Sequence, residues 1–357
     1  MADVAALFQQ IFLNRRKAPS SELTACLADF YLNGPAADPD IPSWVHIDDN
    51  AAISGFIGVN VVPMAYSGKI LRAAFCGAFM TRDHEKNPLA GARLIKAFLS
   101  GRQDVSITET ANKTSLELSK ALRGTAFAAY SLEWMRVFRP AAFACEIALR
   151  NSSLRTFALP AARGLDHLLR WSRIAGRRER HAQAAGTAPL TATAVDADTF
   201  ASVVENLTAH YSLQPCWAPA DLRHVVAHAF DKPKYGKAIG CLVTTGNAAP
   251  VGAFLYHMQA GGVGRVFQIM AKPGLESKVI DVMLSDAARR GAAGLRGRIQ
   301  PALLDGMLGK GILFATASST IVFSRDNELL ECFRSGRAFV NGIAGESWGR
   351  HIGGDFG

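Results

Sequence analysis

No apolar run in this chain reaches the roughly 18 uninterrupted residues that a membrane-spanning helix needs, and no membrane partner is expected. The opening stretch, "MADVAALFQQIFLNRRKAPSSE", lacks a secretory leader's order of charge, apolar core and cleavage site. Gln9 and Gln10 interrupt the run and the charges come after it. A cytoplasmic protein is expected. Cysteines are few and scattered, at Cys26, Cys76, Cys145, Cys216, Cys241 and Cys332, with no C-x-x-C pair. That argues against a zinc site of that kind and leaves the thiols as small buried hydrophobes. The chain has no G-x-x-x-x-G-K-[ST], hence no P-loop. Aromatic residues do not interleave with basic ones as a nucleic-acid platform requires, and no nucleic-acid partner is expected.

What is present is an apolar share of 49% against 19% charged residues, which supports a sizeable core and excludes global disorder. The 357 residues suffice for two domains. The net charge of +9 reads either as an arginine-rich surface or as the imprint of an anionic ligand such as a nucleotide cofactor or a polyanion. Charge alone does not choose between them.

Periodicity divides the chain into two halves with one order of elements. In the first, "DVAALFQQIFLNRR" and "SELTACLADFYLNG" have helical spacing. "SWVHIDD", "ISGFIGVNVVPMAY" and "KILRAAFCGAFMT" read as meander strands joined by hairpins. A helix over 87–100, the strand "DVSITET", the helix "KTSLELSKALRG" and a final strand "TAFAAYSLEWMRVF" follow. In the second half, "TATAV" is a strand and "DADTFASVVENLTAHY" a helix capped by Asp196 or Asp198. Then come the helix "PADLRHVVAHAF", three strands, the helix "ESKVIDVMLSDAARRG", a strand, a short helix, and one or two strands in "ILFATASSTIVF". "NELLECFRSG" is a terminal helix. The fold class is therefore α/β (α+β), with two tandem domains, each a mixed, mostly antiparallel sheet flanked by helices. The expected division is 1–150, a basic helical linker over 151–190, and 191–357. Within the linker, 161–180 is expected to dock as an amphipathic helix through Leu165, Leu168, Leu169 and Trp171.

The stretch "TRDHEKNPLAGARLIKAFLSG", 81–101, opens the helix after the third strand. The first amides of a helix lack intrahelical partners and carry positive potential, so they bind phosphate where small residues let the backbone come close. Asn87 and Pro88 also suit an ordinary helix cap and first turn. The loop alone favours the ordinary cap; the order of elements around it favours phosphate binding.

The order of elements, with this loop, resembles the GNAT acetyltransferase superfamily over about 1–145, and more weakly over about 190–350. The family's loop pattern places Arg or Gln, then Gly, then Gly or Ala where Lys86, Leu89 and Gly91 stand here; Leu89 is a departure. "TANKTSLELSKALRG" matches the family's asparagine and glycine turn through Asn112 and Gly124. The family's frequent tyrosine acid falls near Ser119. The second loop, "AKPGLESKV", keeps Lys272 and Gly274, but Glu276 there satisfies the helix dipole and repels phosphate. That half is expected to be a degenerate copy that shapes a cleft.

The resemblance implies an N-acyltransferase using acetyl-CoA or another acyl-CoA, without metal, on a small amine or amino-acid-like acceptor. It implies cofactor contacts from Lys86, Leu89, Ala90, Gly91 and Asn112, and a backbone donor among Ala78, Phe79 and Met80. Glu109 is the first candidate base, its other reading being a solvated strand-end carboxylate; Asp83 and His84 are alternatives. Ser119 is the candidate acid. A monomer or homodimer is expected. Aminoacyl transfer to a cell-wall precursor and a non-catalytic GNAT-fold binding protein are the rival readings. "HVVAH", with His224 and His228, has metal spacing but lacks the glutamate of H-E-x-x-H, and reads as a packed or solvated helix. "GGVGR", 261–265, reads as a hairpin turn.

Overall fold

Two seven-stranded sheets form the frame of the computed structural model, which describes residues 1–82, 88–148, 190–246 and 249–356. The expected linker helix over 161–180 lies outside the described residues. The first sheet begins behind two helices, α1 (Ala2–Phe12) and α2 (Ser21–Ala28), the second capped by Ser20 through Leu23 N at 3.2 Å. A short π-helix, Asp29–Asn33, extends α2. The meander follows as β1 (Trp44–Ile47), β2 (Ile53–Tyr66) and β3 (Lys69–Thr81). Next are α3 (Pro88–Leu99), β4 (Val105–Ala111) and α4 (Lys113–Ala121). β5 (Thr125–Phe127), α5 (Ala128–Ser131), β6 (Leu132–Val137) and α6 (Pro140–Ala148) end this half.

The second half runs β7 (Leu190–Val195), α7 (Ala197–Thr208), β8 (Leu213–Pro215) and α8 (Pro219–Phe230). Its meander is β9 (Lys237–Thr245), β10 (Gly252–Met258) and β11 (Val263–Ala271). Then come α9 (Glu276–Arg289), β12 (Gly294–Arg298), α10 (Leu304–Met307), β13 (Ile312–Thr316), β14 (Ser319–Phe323) and α11 (Asn327–Arg334).

Sheet membership does not follow chain order. The first sheet runs β1-β2-β3-β4-β14-β5 with β8 on β2, and the second runs β13-β6-β12-β11-β10-β9-β7. β6 of the first half thus lies between β12 and β13 of the second, and β14 of the second lies between β4 and β5 of the first. The single final strand expected over "TAFAAYSLEWMRVF" is two strands broken by α5, because the chain leaves one sheet there and enters the other. The division at 150 and 191 therefore describes chain order only. One hydrophobic cluster spans both halves, from Phe8, Phe30 and Phe75 to Phe200, Phe339 and Trp348.

Each sheet has one parallel pair, β3 with β4 and β11 with β12. The first holds for Ala73–Phe75 against Val105–Ile107, after which the strands part. β3 carries a bulge there: Ala78 has φ of 42°, and the pairing with β2 slips between Gly77 and Met80.

The tail beyond α11 is irregular yet buried almost without break from Ala338 to Glu346. Buried backbone groups need partners, and side chains from both sheets supply them. Asn60 Nδ2 donates to Gly345 O (3.2 Å), Trp217 Nε1 to Ile343 O (3.1 Å) and Gln300 Nε2 to Ala338 O (2.8 Å). Gln268 Oε1 accepts from Ile343 N at 3.1 Å. Lys232 Nζ donates to the carbonyls of Ser347 (3.0 Å), Trp348 (2.8 Å) and Gly349.

Candidate active site

Where β3 and β4 part, the tail enters from the other side. Glu109 stands near the end of β4 and is 3% exposed. It is not the solvated strand-end carboxylate that its position also allowed. Its Oε2 accepts from Glu346 N at 2.7 Å, and Thr110 Oγ1 donates to Glu346 Oε1 at 2.7 Å. The Glu346 carboxylate lies against Gly77 on β3, where a Cβ would come within 2.7 Å of Oε2. Gly345 is as tightly held, since a Cβ there would strike the Glu109 carboxylate at 2.2 Å. Arg298, from the end of β12, closes the group. Its guanidinium donates to Ser318 Oγ (2.7 Å), Thr320 Oγ1 (3.0 Å) and the Glu109 carbonyl.

Burial raises both carboxyls, because a charge removed from water loses solvation. For Glu346 the Glu109 charge adds to burial and carries it to about 8, against the opposing Thr110 bond and Arg298. For Glu109 burial is opposed by the Glu346 N–H and by Arg298, and the net direction is still upward. Two such neighbouring groups titrate as a pair, each favouring its protonated form more than a free carboxyl does.

The pair faces a cavity of about 250 Å³ that both sheets line, with Arg265, Arg296, Lys232, Tyr235 and His257 on its other walls. Arg265 stacks over the Tyr235 ring at 4.3 Å. His257 is driven down to about 4 by burial and then by Lys232, so its ring is neutral. Its Nε2 has no hydrogen-bond partner among the described residues. The site thus combines two carboxyls raised by burial, the guanidinium groups of Arg265 and Arg296 and a neutral imidazole around one cavity, a set suited to proton transfer.

The other expected site residues fall elsewhere. Ala78, Phe79 and Met80 form the β3 bulge, and Gly91 on α3 faces it: a Cβ at Gly91 would meet Phe79 Cζ at 3.4 Å and Thr81 Cγ2 at 3.8 Å. Ala90 is buried beside it, while Leu89 is 60% exposed. Lys86, Asp83 and His84 lie outside the described residues. Asn112 is the N-cap of α4, its Oδ1 accepting from Ser115 N at 2.9 Å. Ser119 is buried on α4 and does not line the cavity with Glu109. Sequence reasoning missed Glu346, Arg298, Lys232 and His257. A signal for Glu346 was a lone carboxylate inside a glycine-rich, largely apolar tail, "AFVNGIAGESWG".

No family model matches the chain, and no curated protein matches it in sequence. Solved structures do match in shape. A GCN5-related N-acetyltransferase from Anabaena variabilis superposes with a TM-score of 0.54 at 10% identity, over 89% of this chain and 69% of that one. A conserved protein of unknown function from Enterococcus faecalis, described as a probable N-acyltransferase, gives 0.54 at 6% identity, over 90% of this chain and 69% of that one. Among the described residues no helix is long and apolar enough to cross a membrane. The parallel pair that splays, the bulge facing α3 and the superpositions agree: the chain has the fold of the GCN5-related N-acetyltransferases, in two copies that exchange a strand.

Proposed function

We propose that the protein is an acyl-CoA-dependent N-acyltransferase, with acetyl-CoA as donor and a small amine or amino-acid-like molecule as acceptor. The observation that carries this reading is the buried Glu109–Glu346 pair, set where β3 and β4 separate and facing a cavity. On this reading the donor lies along α3 and the β3 bulge, where Gly91 adds no side chain. The acceptor amine enters the cavity from the side of the second sheet. The ionised carboxylate of the pair takes the ammonium proton, and the free amine attacks the thioester carbonyl. Backbone amides at Ala78 to Met80 hold the oxygen as it gains charge. The new N–C bond forms, the C–S bond breaks, and the leaving thiolate takes up a proton.

One observation favours a second reading, a non-catalytic acyl-CoA binding protein. The tail already sits against Gly77 and Glu109, in the gap where strands of this fold part. Calorimetry with acetyl-CoA, longer acyl-CoAs and free CoA, followed by thiol release over a panel of amines, tests both. Saturable binding with amine-dependent thiol release supports the transferase. Binding without release from any amine favours the second reading, and absence of binding overturns both.

A further inference from the structure

The two histidines of "HVVAH" lie on one face of α8, with ring centroids 4.1 Å apart. The fold brings them a third potential ligand from the other half. Asp29 opens the π-helix of the first half and brings its carboxylate to 3.6 Å from His224 Nε2. That is too long for a hydrogen bond. His224 Nε2 and His228 Nδ1 are both shielded from solvent and have no hydrogen-bond partner among the described residues. One ligand atom from each of Asp29, His224 and His228 falls within 4.8 Å of the other two. Asp29 stands where α2 passes into the π-helix, and such π segments occur frequently at functional sites.

We propose that Asp29, His224 and His228 form a binding site for a divalent transition-metal ion of the zinc class. Two imidazoles and one carboxylate are the donor set that such an ion prefers, with water as the fourth ligand. A bound ion brings its ligand atoms to about 3.3–3.5 Å of one another, as tetrahedral bonds of about 2.0–2.1 Å require. Asp29 and His224 are partly exposed and free to close that difference by rotamer adjustment. The cations that act on His228, Arg350 and Lys232, are already engaged. Arg350 pairs with Asp231 (2.7 Å) and Glu22 (3.6 Å), and Lys232 binds tail carbonyls.

The site's place defines its role. Its ligands come from both halves, and the Trp348 ring packs beneath both histidines, at 6.1 Å from His224 and 5.9 Å from His228. Trp348 lies two residues beyond Glu346 in the tail. A bound ion staples the first half to the second directly above the segment that carries Glu346. It is distinct from the carboxyl pair and holds whether or not the protein is a transferase.

The untagged full chain, stripped with a chelator, is titrated with Zn²⁺ by calorimetry while its melting temperature is followed. One equivalent is expected to bind and to raise the melting temperature. Asp29→Asn and His228→Gln, both near-isosteric and checked for folding by circular dichroism, are each expected to weaken binding about tenfold or more. Absence of saturable binding overturns the site. So does binding that survives both substitutions, which assigns the ion to the thiols, and binding lost in His228→Gln but kept in Asp29→Asn, which assigns it to the histidine pair alone.

Discussion

Helices α3 and α9 occupy matching places, each after the third meander strand of its half, yet their first turns are opposite in character. The first turn of α3 has no acidic side chain, with Ala90 and Gly91 beside the β3 bulge. The first turn of α9 carries Glu276, whose carboxylate accepts from Gly274 N at 3.1 Å. There α10 also closes in: a Cβ at Gly306 would lie 2.9 Å from Ser277 N. Among the described residues the first turn of α3 carries no anion, whereas that of α9 supplies its own and is covered by α10. The strand ends differ in the same way. β4 ends near the carboxylate Glu109, β12 at the cation Arg298, and the two meet. On the proposed function this difference divides two roles between the halves: a donor site in the first, and in the second a wall that shapes the cavity.

The largest expected effect separates the strand ends. Glu109→Gln keeps the acceptor for Glu346 N and removes the charge. Turnover of the accepted amine is expected to fall about 10²-fold, the ordinary worth of a positioned general base, with acetyl-CoA affinity unchanged. Steady-state kinetics beside calorimetry measures both; normal turnover across pH would place the base elsewhere.

The helix ends are separated by a smaller effect. A Cβ at Gly91 is accommodated at 3.4 Å from Phe79, so Gly91→Val folds, but its methyls cover the first-turn amides. Acetyl-CoA binding is expected to weaken at least about tenfold, or about 1.4 kcal/mol. In the second half Lys272→Ala is expected to stay within about twofold of wild type, as for a surface change away from the ligand. Equal losses in the two variants would break the contrast between halves.

These contrasts differ in how far the sequence reveals them. Helix and strand positions were legible because apolar periodicity reports which residues are buried. It does not report which sheet receives them. The apolar residues of β6 and β14 satisfy either sheet, so the exchange of strands left no trace in "SLEWMRVF" or "STIVF". Glu109 was legible from its place at a strand end, and Glu276 from its place at a helix start. Glu346 was not, because its segment has no regular hydrogen-bonding period. Its backbone is satisfied instead by Asn60, Gln268 and Lys232, which are distant in the chain. The metal spacing of His224 and His228 was legible, but not their approach to Asp29, nearly two hundred residues away in the chain.

The smallest effect concerns pH and distinguishes the carboxyl pair from an ordinary buried polar contact. Glu346 is raised in the folded protein to about 8, first by burial and then by the Glu109 charge. Between the usual glutamate range and that value, the folded state binds more protons at this site than the unfolded chain. Stability therefore falls as pH rises through that window, and the contribution is constant below it. Glu346→Gln replaces the protonated carboxyl by a neutral amide that keeps the carbonyl acceptor for Thr110 Oγ1. The variant is expected to match wild type in melting temperature near pH 4 and to exceed it increasingly from pH 5 to pH 8, by a few degrees at the top of the range. Thermal melts across that range in buffers of matched ionic strength measure the difference. A constant offset between the two proteins at every pH would mean that Glu346 does not titrate in this window.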